Sequence, residues 1–137
     1  MSHILSIFIL LFLGACTSTP HHAPLKNTYW SLVELNNEES YNTPYQPEVH
    51  LIFHVNDASV HGSDGCNSLK ASYTQNKETF TFSKIISTRM FCQEGSEQAA
   101  LFNEALKKTD SLYIYGNELF LYHNQQQIAR FEAKEDY

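Results

Sequence analysis

The sequence predicts an α+β domain that is mainly antiparallel β, a small curled sheet of about seven or eight strands with one α-helix packed against it. Three observations carry this. Apolar residues alternate in short runs separated by turn residues, a single segment switches to the helical period, and the strongest two-residue turn signal, Gly116-Asn117, joins two alternating runs. A length of 137 residues gives room for one core and not for a second.

The first strand starts at Thr28, with Trp30 and Leu32 alternating with Tyr29, Ser31 and Val33. A polar stretch from Asn36 to Glu48, carrying Pro44 and Pro47, then reads as a long loop. From Val49 to Val55 the alternation resumes, with Val49, Leu51, Phe53 and Val55 on one face and His50, Ile52 and His54 on the other. An Asn56-Asp57 turn would pair Phe53 with Val60 and Val55 with Ala58, which keeps the apolar residues together. Further strands are expected at Ser68 to Thr74 and Thr79 to Ile86.

Ser96 to Lys108 is the helix. Ser96 is its expected cap, Glu97 and Lys107-Lys108 complement its dipole, and Leu101, Phe102, Ala105 and Leu106 form an apolar stripe for the sheet. The hairpin from Ser111 to His123 follows, placing Ile114 opposite Leu119 and Leu112 opposite Leu121. Tyr113, Tyr115, Phe120 and Tyr122 share its other face, so both faces are apolar and only one can line the main core. These rings read either as cross-strand pairs under a loop or the helix, or as a binding patch. A last strand runs near Gln127 to Ala133, its register left open between two pairings, before the acidic Glu135-Asp136.

The front of the chain is a different object, since eleven of its first fifteen residues are hydrophobic. Ile4 to Leu13 is too short for a spanning helix, which needs roughly 20 residues, and matches the apolar region of a secretory signal. Leu13-Gly14-Ala15-Cys16 then resembles the bacterial lipobox, in which the cysteine thiol receives a diacylglyceryl group before cleavage. One departure is an n-region, Met1-Ser2-His3, without Lys or Arg. The expected organisation is a signal over 1–15, a flexible tether over 16–26 behind lipidated Cys16, and the domain over 27–137. Thr17, where Asp would mark inner-membrane retention, directs the expectation to the outer membrane, facing the periplasm. His21 and His22 on the tether are expected to be exposed and uninvolved.

Nine Lys plus Arg against fifteen Asp plus Glu give no basic field, so no nucleic-acid partner is expected. The sequence shows no phosphate loop, nucleophile elbow, HExxH or carboxylate pair singled out by spacing, so neither a catalytic role nor a cofactor is expected. His54 and His61 lie diagonally across the expected hairpin and are weak zinc candidates, while His50 is too far from His54 to share an ion with it.

Cys66 and Cys92 remain as an even pair, and an oxidising compartment favours a disulfide between them. Two unpaired buried thiols, or one reactive nucleophile, are the competing readings. Around the pair stand Gly62-Ser63-Asp64-Gly65-Cys66-Asn67 followed by Tyr73, then Thr88-Arg89-Met90-Phe91-Cys92 and an amphipathic helix with Phe102 and Leu106. Together with Trp30-Ser31-Leu32 and Leu51-Ile52-Phe53, these resemble the META domain of the heat-shock HslJ family, over about Asn27 to Phe131. Ala71 departs from the family's usual glycine two residues before the tyrosine.

The resemblance implies an incomplete, cracked barrel similar to secretin pilotins and a stress-related envelope lipoprotein. It carries no catalytic residues over. Within its motif, Asn67 is expected to cap a turn and Arg89 to bond carbonyls or a carboxylate at a strand edge. The expected function is therefore a monomeric, palmitate-bearing envelope protein that supports stress tolerance by binding a protein or an apolar ligand. A pilotin-like lipid-binding assembly factor and a zinc-binding envelope protein are the alternatives.

Overall fold

The computed structural model describes residues 18–135. Nine strands and one helix follow in order: β1 Tyr29–Leu35, β2 Glu38–Glu39, β3 His50–Phe53, β4 Ser59–Ser63, β5 Ser68–Gln75, β6 Phe80–Ser87, α1 Ser96–Lys108, β7 Ser111–Tyr115, β8 Glu118–His123 and β9 Gln126–Lys134. Eight form one antiparallel sheet in the order β6-β5-β4-β3-β1-β9-β8-β7, and β2 pairs only with β1. The end strands approach each other where Phe80 N–H donates to the Asp110 carbonyl at 2.9 Å. Strand pairing does not continue across this seam, so the sheet curls without closing into a barrel.

Alternation builds the interior. Trp30, Leu51, Phe53, Val60, Leu69, Phe80, Leu119, Leu121, Ala129 and Phe131 are all buried on the concave face. Phe102, Ala105 and Leu106 of α1 complete the core, with Phe102 set edge-on to Phe131 at 6.1 Å. Phe53, Tyr73, Phe80 and Phe82 make a four-ring cluster with neighbouring centroids 5.1 to 6.3 Å apart. Burying each such side chain contributes on the order of 2 kcal/mol, which makes these rings the main apolar contribution of the β3–β6 half.

The hairpin registers predicted from sequence are present: Phe53 faces Val60, Ile114 faces Leu119, and Leu112 faces Leu121. Val55 and Ala58, by contrast, do not pair. Asp57 takes both the backbone N–H and the hydroxyl of Ser59, forming a side-chain turn that ends the ladder at Phe53 and leaves Val55 exposed. The open register of β9 is settled by Asn124 and Gln125, both left-handed (φ 49° and 66°), which form a two-residue turn pairing His123 with Gln126. A similar Asn36-Asn37 turn folds β2 onto β1, a hairpin hidden in what reads as loop.

Two helix expectations change. Gly95, at φ 80°, occupies the N-cap with no side-chain cap, so Ser96 is already inside the helix. Leu101 is 43% exposed, and the buried face runs through Gln98, Ala99, Phe102, Ala105 and Leu106. Gln98 is buried because its amide grips Tyr41, donating to the carbonyl at 2.9 Å and accepting from the N–H at 3.0 Å. At Ala71 the strand continues, and the irregularity falls on β6, where left-handed Lys84 (φ 51°) bulges out of the ladder.

Ordered contacts begin before Asn27. Gly116 N–H donates to His22 Nδ1 and Ala23 N–H to the Gly116 carbonyl, both at 2.9 Å. Further along, the Pro24 carbonyl accepts from Thr28 Oγ1 at 2.6 Å and the Leu25 carbonyl from Trp30 Nε1 at 3.0 Å. Residues 22–26 are thus a strap from the β7–β8 turn to the end of β3, where Lys26 bridges Phe53. A tether reading fails for this stretch because Ala23 and Leu25 pack against the core.

Gly62 has no room for a side chain, since a Cβ there would lie 1.9 Å from the His50 carbonyl oxygen. Gly62→Ala is expected to lower unfolding free energy by about 3 kcal/mol in a denaturant titration. On the outer face, Glu48 accepts from Ser31, Tyr29 and Lys134. Burial pushes its pKa up, but the Lys134, Ser31 and Tyr29 bonds outweigh it and hold the pKa below the usual value. A depressed carboxylate stabilises the fold above its unfolded pKa and loses that contribution as pH falls through the folded one. Wild-type melting temperature should therefore drop more steeply below about pH 4.5 than that of Glu48→Gln, measured by thermal scans across pH.

Candidate functional site

The two motif segments meet at the end of β4 and form a polar knot against α1. Asp64 is 1% exposed, and its Oδ1 accepts from the N–H groups of Cys66 at 2.9 Å and Asn67 at 2.6 Å. Its Oδ2 accepts from Asn103 Nδ2 at 2.8 Å, which ties the loop to the helix. A buried carboxylate is tolerable only with such donors. Gly65 makes the turn at φ 90°, and its N–H donates to Ser63 Oγ at 3.0 Å.

Asn67 carries the connection onward. Its Oδ1 accepts from Met90 N–H at 2.6 Å and Thr88 Oγ1 at 3.0 Å, so it caps the distant 88–92 segment rather than its own turn. Cys66 and Cys92 are joined in a disulfide with Cα atoms 5.9 Å apart. The competing thiol readings therefore fall away. Arg89 is exposed and makes no bond to a carbonyl or carboxylate among the described residues, because the chain leaves β6 two residues earlier and carries the side chain outward. Asp64, Cys66, Asn67, Met90, Ala99 and Asn103 lie along an open depression of about 470 Å³. Phe91 beside it is 92% exposed.

Sequence reasoning gave Asp64 and Asn103 no role. The Asp64-Gly65 step is a turn signal with a mechanism, and an Asn in mid-helix is a poor helix former that invites a search for a partner.

The second assembly is the outer face of the β7–β8 hairpin. Tyr113 pairs across with Phe120, and Phe120 in turn with Arg130 of β9. Tyr113 and Tyr115 are 56% and 58% exposed, whereas Phe120 and Tyr122 are half-buried. Both tyrosines stay more than half exposed even though the strap passes beside Tyr115. The core instead takes Leu119 and Leu121, with Leu112 and Ile114 packed against it. Arg130 borders the patch, paired with Glu118 at 2.8 Å and Glu34 at 3.6 Å, and the His22 ring tilts against Tyr115 at 5.6 Å.

The histidines fall into separate settings. His54 and His61 meet at 2.7 Å, Nε2 to Nδ1. His50 stacks on Tyr29 at 4.4 Å, and its Nδ1 lies 2.9 Å from the Glu48 carbonyl. Cys16 and Thr17 lie outside the described residues.

A curled, uncyclised antiparallel sheet with a filled interior, one helix across it and a disulfide-braced polar knot defines a small β-rich domain of the incomplete-barrel class. The META domain pattern matches residues 23–135, and the chain belongs to the META domain family. That match begins at Ala23, within the strap. Two solved structures share the fold. An NMR structure of a protein from Burkholderia xenovorans has a TM-score of 0.66 at 18% identity, covering 95% of this chain and 100% of that one. A second NMR structure has a TM-score of 0.62 at 19% identity, covering 79% of this chain and 91% of that one. Among curated proteins no sequence matches. Family membership suggests an envelope-associated protein.

Asp64→Ala strands three donors in a buried site and is expected to cost about 3 kcal/mol in a denaturant titration. Asn67→Ala should cost less while raising hydrogen exchange at the Met90 amide, because the disulfide still holds Cys92.

Proposed function

We propose that the chain is a non-catalytic envelope lipoprotein, anchored through Cys16, that binds a protein partner through Tyr113, Tyr115, Phe120 and Tyr122 and thereby supports envelope stress tolerance. The observation that carries this reading is the exposure of Tyr113 and Tyr115 on a hairpin whose other face is already committed to the core. Tyrosines so placed bury large area at low entropic cost when a partner docks. The lipobox resemblance at Leu13-Gly14-Ala15-Cys16 supports the anchor and an outer-membrane destination. A protein partner is favoured over a lipid held inside the sheet, because Trp30, Phe53, Phe102 and Phe131 fill the interior.

A photo-crosslinking residue placed at Tyr113 in cells should capture one envelope protein, and the same residue at Lys84, on the opposite edge strand, should not. Equal capture from both positions, or none from Tyr113, rejects the docking face. The mature chain should also carry a lipid-sized mass increase that Cys16→Ala abolishes.

A further inference from the structure

We propose that His54 and His61 form a two-imidazole clamp for a borderline-soft divalent cation, with zinc as the reference ion. The nitrogens face one another at 2.7 Å with ring planes 75° apart, so two imidazole donors are held side by side on the outer face of the β3–β4 hairpin. Zinc bonds imidazole nitrogen at about 2.0–2.1 Å, and a tetrahedral angle then separates two ligands by roughly 3.3 Å. Admitting the ion takes an opening of roughly 0.6 Å together with a turn of both rings, so that lone pairs now directed along the hydrogen bond converge on a point beside it.

The backbone allows it. His54 is exposed and follows the last residue of β3, so its side chain can withdraw without disturbing the ladder, while its own N–H stays bonded to the Ser59 carbonyl at 3.0 Å. In the hydrogen-bonded pair one ring donates and the other accepts. For ligation the donor ring carries its proton on its other nitrogen, so both facing nitrogens offer lone pairs and no proton leaves the site. Burial, with His54, His50 and Lys70 nearby, holds the His61 pKa below its usual value. Asp57 interacts with the charge of His54, though it shares its own with Lys26, whose ammonium donates to the Val55 and Asp57 carbonyls of the same turn.

Two features set limits on the strength of the clamp. Lys70 is directly across from His61, although its exposed ammonium can turn to solvent on a long stem. No third His, Cys, Asp or Glu converges on the pair among the described residues, so water completes the coordination shell. His50 is held aside by Tyr29 and the Glu48 carbonyl. The clamp is independent of the aromatic face.

The test is zinc chloride titrated into the full chain, followed by calorimetry and by NMR of the imidazole nitrogens. One saturable equivalent is expected, with the largest shifts at His54 Nε2 and His61 Nδ1. His61→Gln should weaken binding at least about tenfold, and His50→Gln should leave it unchanged. Unmoved His54 and His61 signals at saturating zinc overturn the proposal, as does undiminished binding in His61→Gln with the shifts at His21 and His22 instead. The wild-type spectra decide the matter even if a variant folds poorly.

Discussion

The Asp64 carboxylate is the point on which the second half of the fold depends. Its two oxygens serve three donors from two elements, two in the loop after β4 and one on α1. The helix otherwise offers the sheet only a short apolar face, so its position is fixed by polar geometry as much as by burial. From Asp64 the constraint passes through Asn67 to the 88–92 segment and then through the disulfide to Cys92, three residues before the cap of α1. The crossover from β6 to β7 is thus anchored at its start, and the helix within it is held against β6 and β1.

Strand existence was legible because burial on one face imposes period two, and every strand longer than two residues is visible in the sequence for that reason. The β7–β8 register was legible too, since Gly116-Asn117 leaves only one pairing that keeps Leu119 and Leu121 together. What escaped was chemistry acting across distance. Nothing local to Gln98 says that it will bind Tyr41, 57 positions away, and nothing local to His22 announces Gly116. Polar side chains used in the interior look like surface residues until their partners are known. The disulfide was legible only as a parity argument together with the oxidising compartment expected from the apolar N-terminal run. The exposure of Tyr113 and Tyr115 could not be decided, because both faces of that hairpin are apolar and the choice depends on where α1 sits.

The motif residues and the outward-facing rings divide the molecule's work. Most of the segments resembling the family motif are engaged with each other: both oxygens of Asp64, Oδ1 of Asn67 and the hydroxyl of Thr88 are all taken up by protein donors or acceptors. The hairpin presents the opposite case. Its inner residues are spent on the core and its outer ones are left to solvent beside Arg130, which is shared among Glu118, Glu34 and Glu132. Three carboxylates around one guanidinium leave that border net negative, so a partner docking on the rings meets an acidic rim and is favoured by basic residues of its own.

The strap has a mechanical meaning. Any load arriving from the N-terminal side reaches the domain first at His22 and Ala23, both bonded to the single residue Gly116. From there the strap is tied again at Thr28 and Trp30, on the far side of β9 from β8 and β7. The domain is thus gripped at two separated places by the segment that leads into it, and that segment's path is part of the fold.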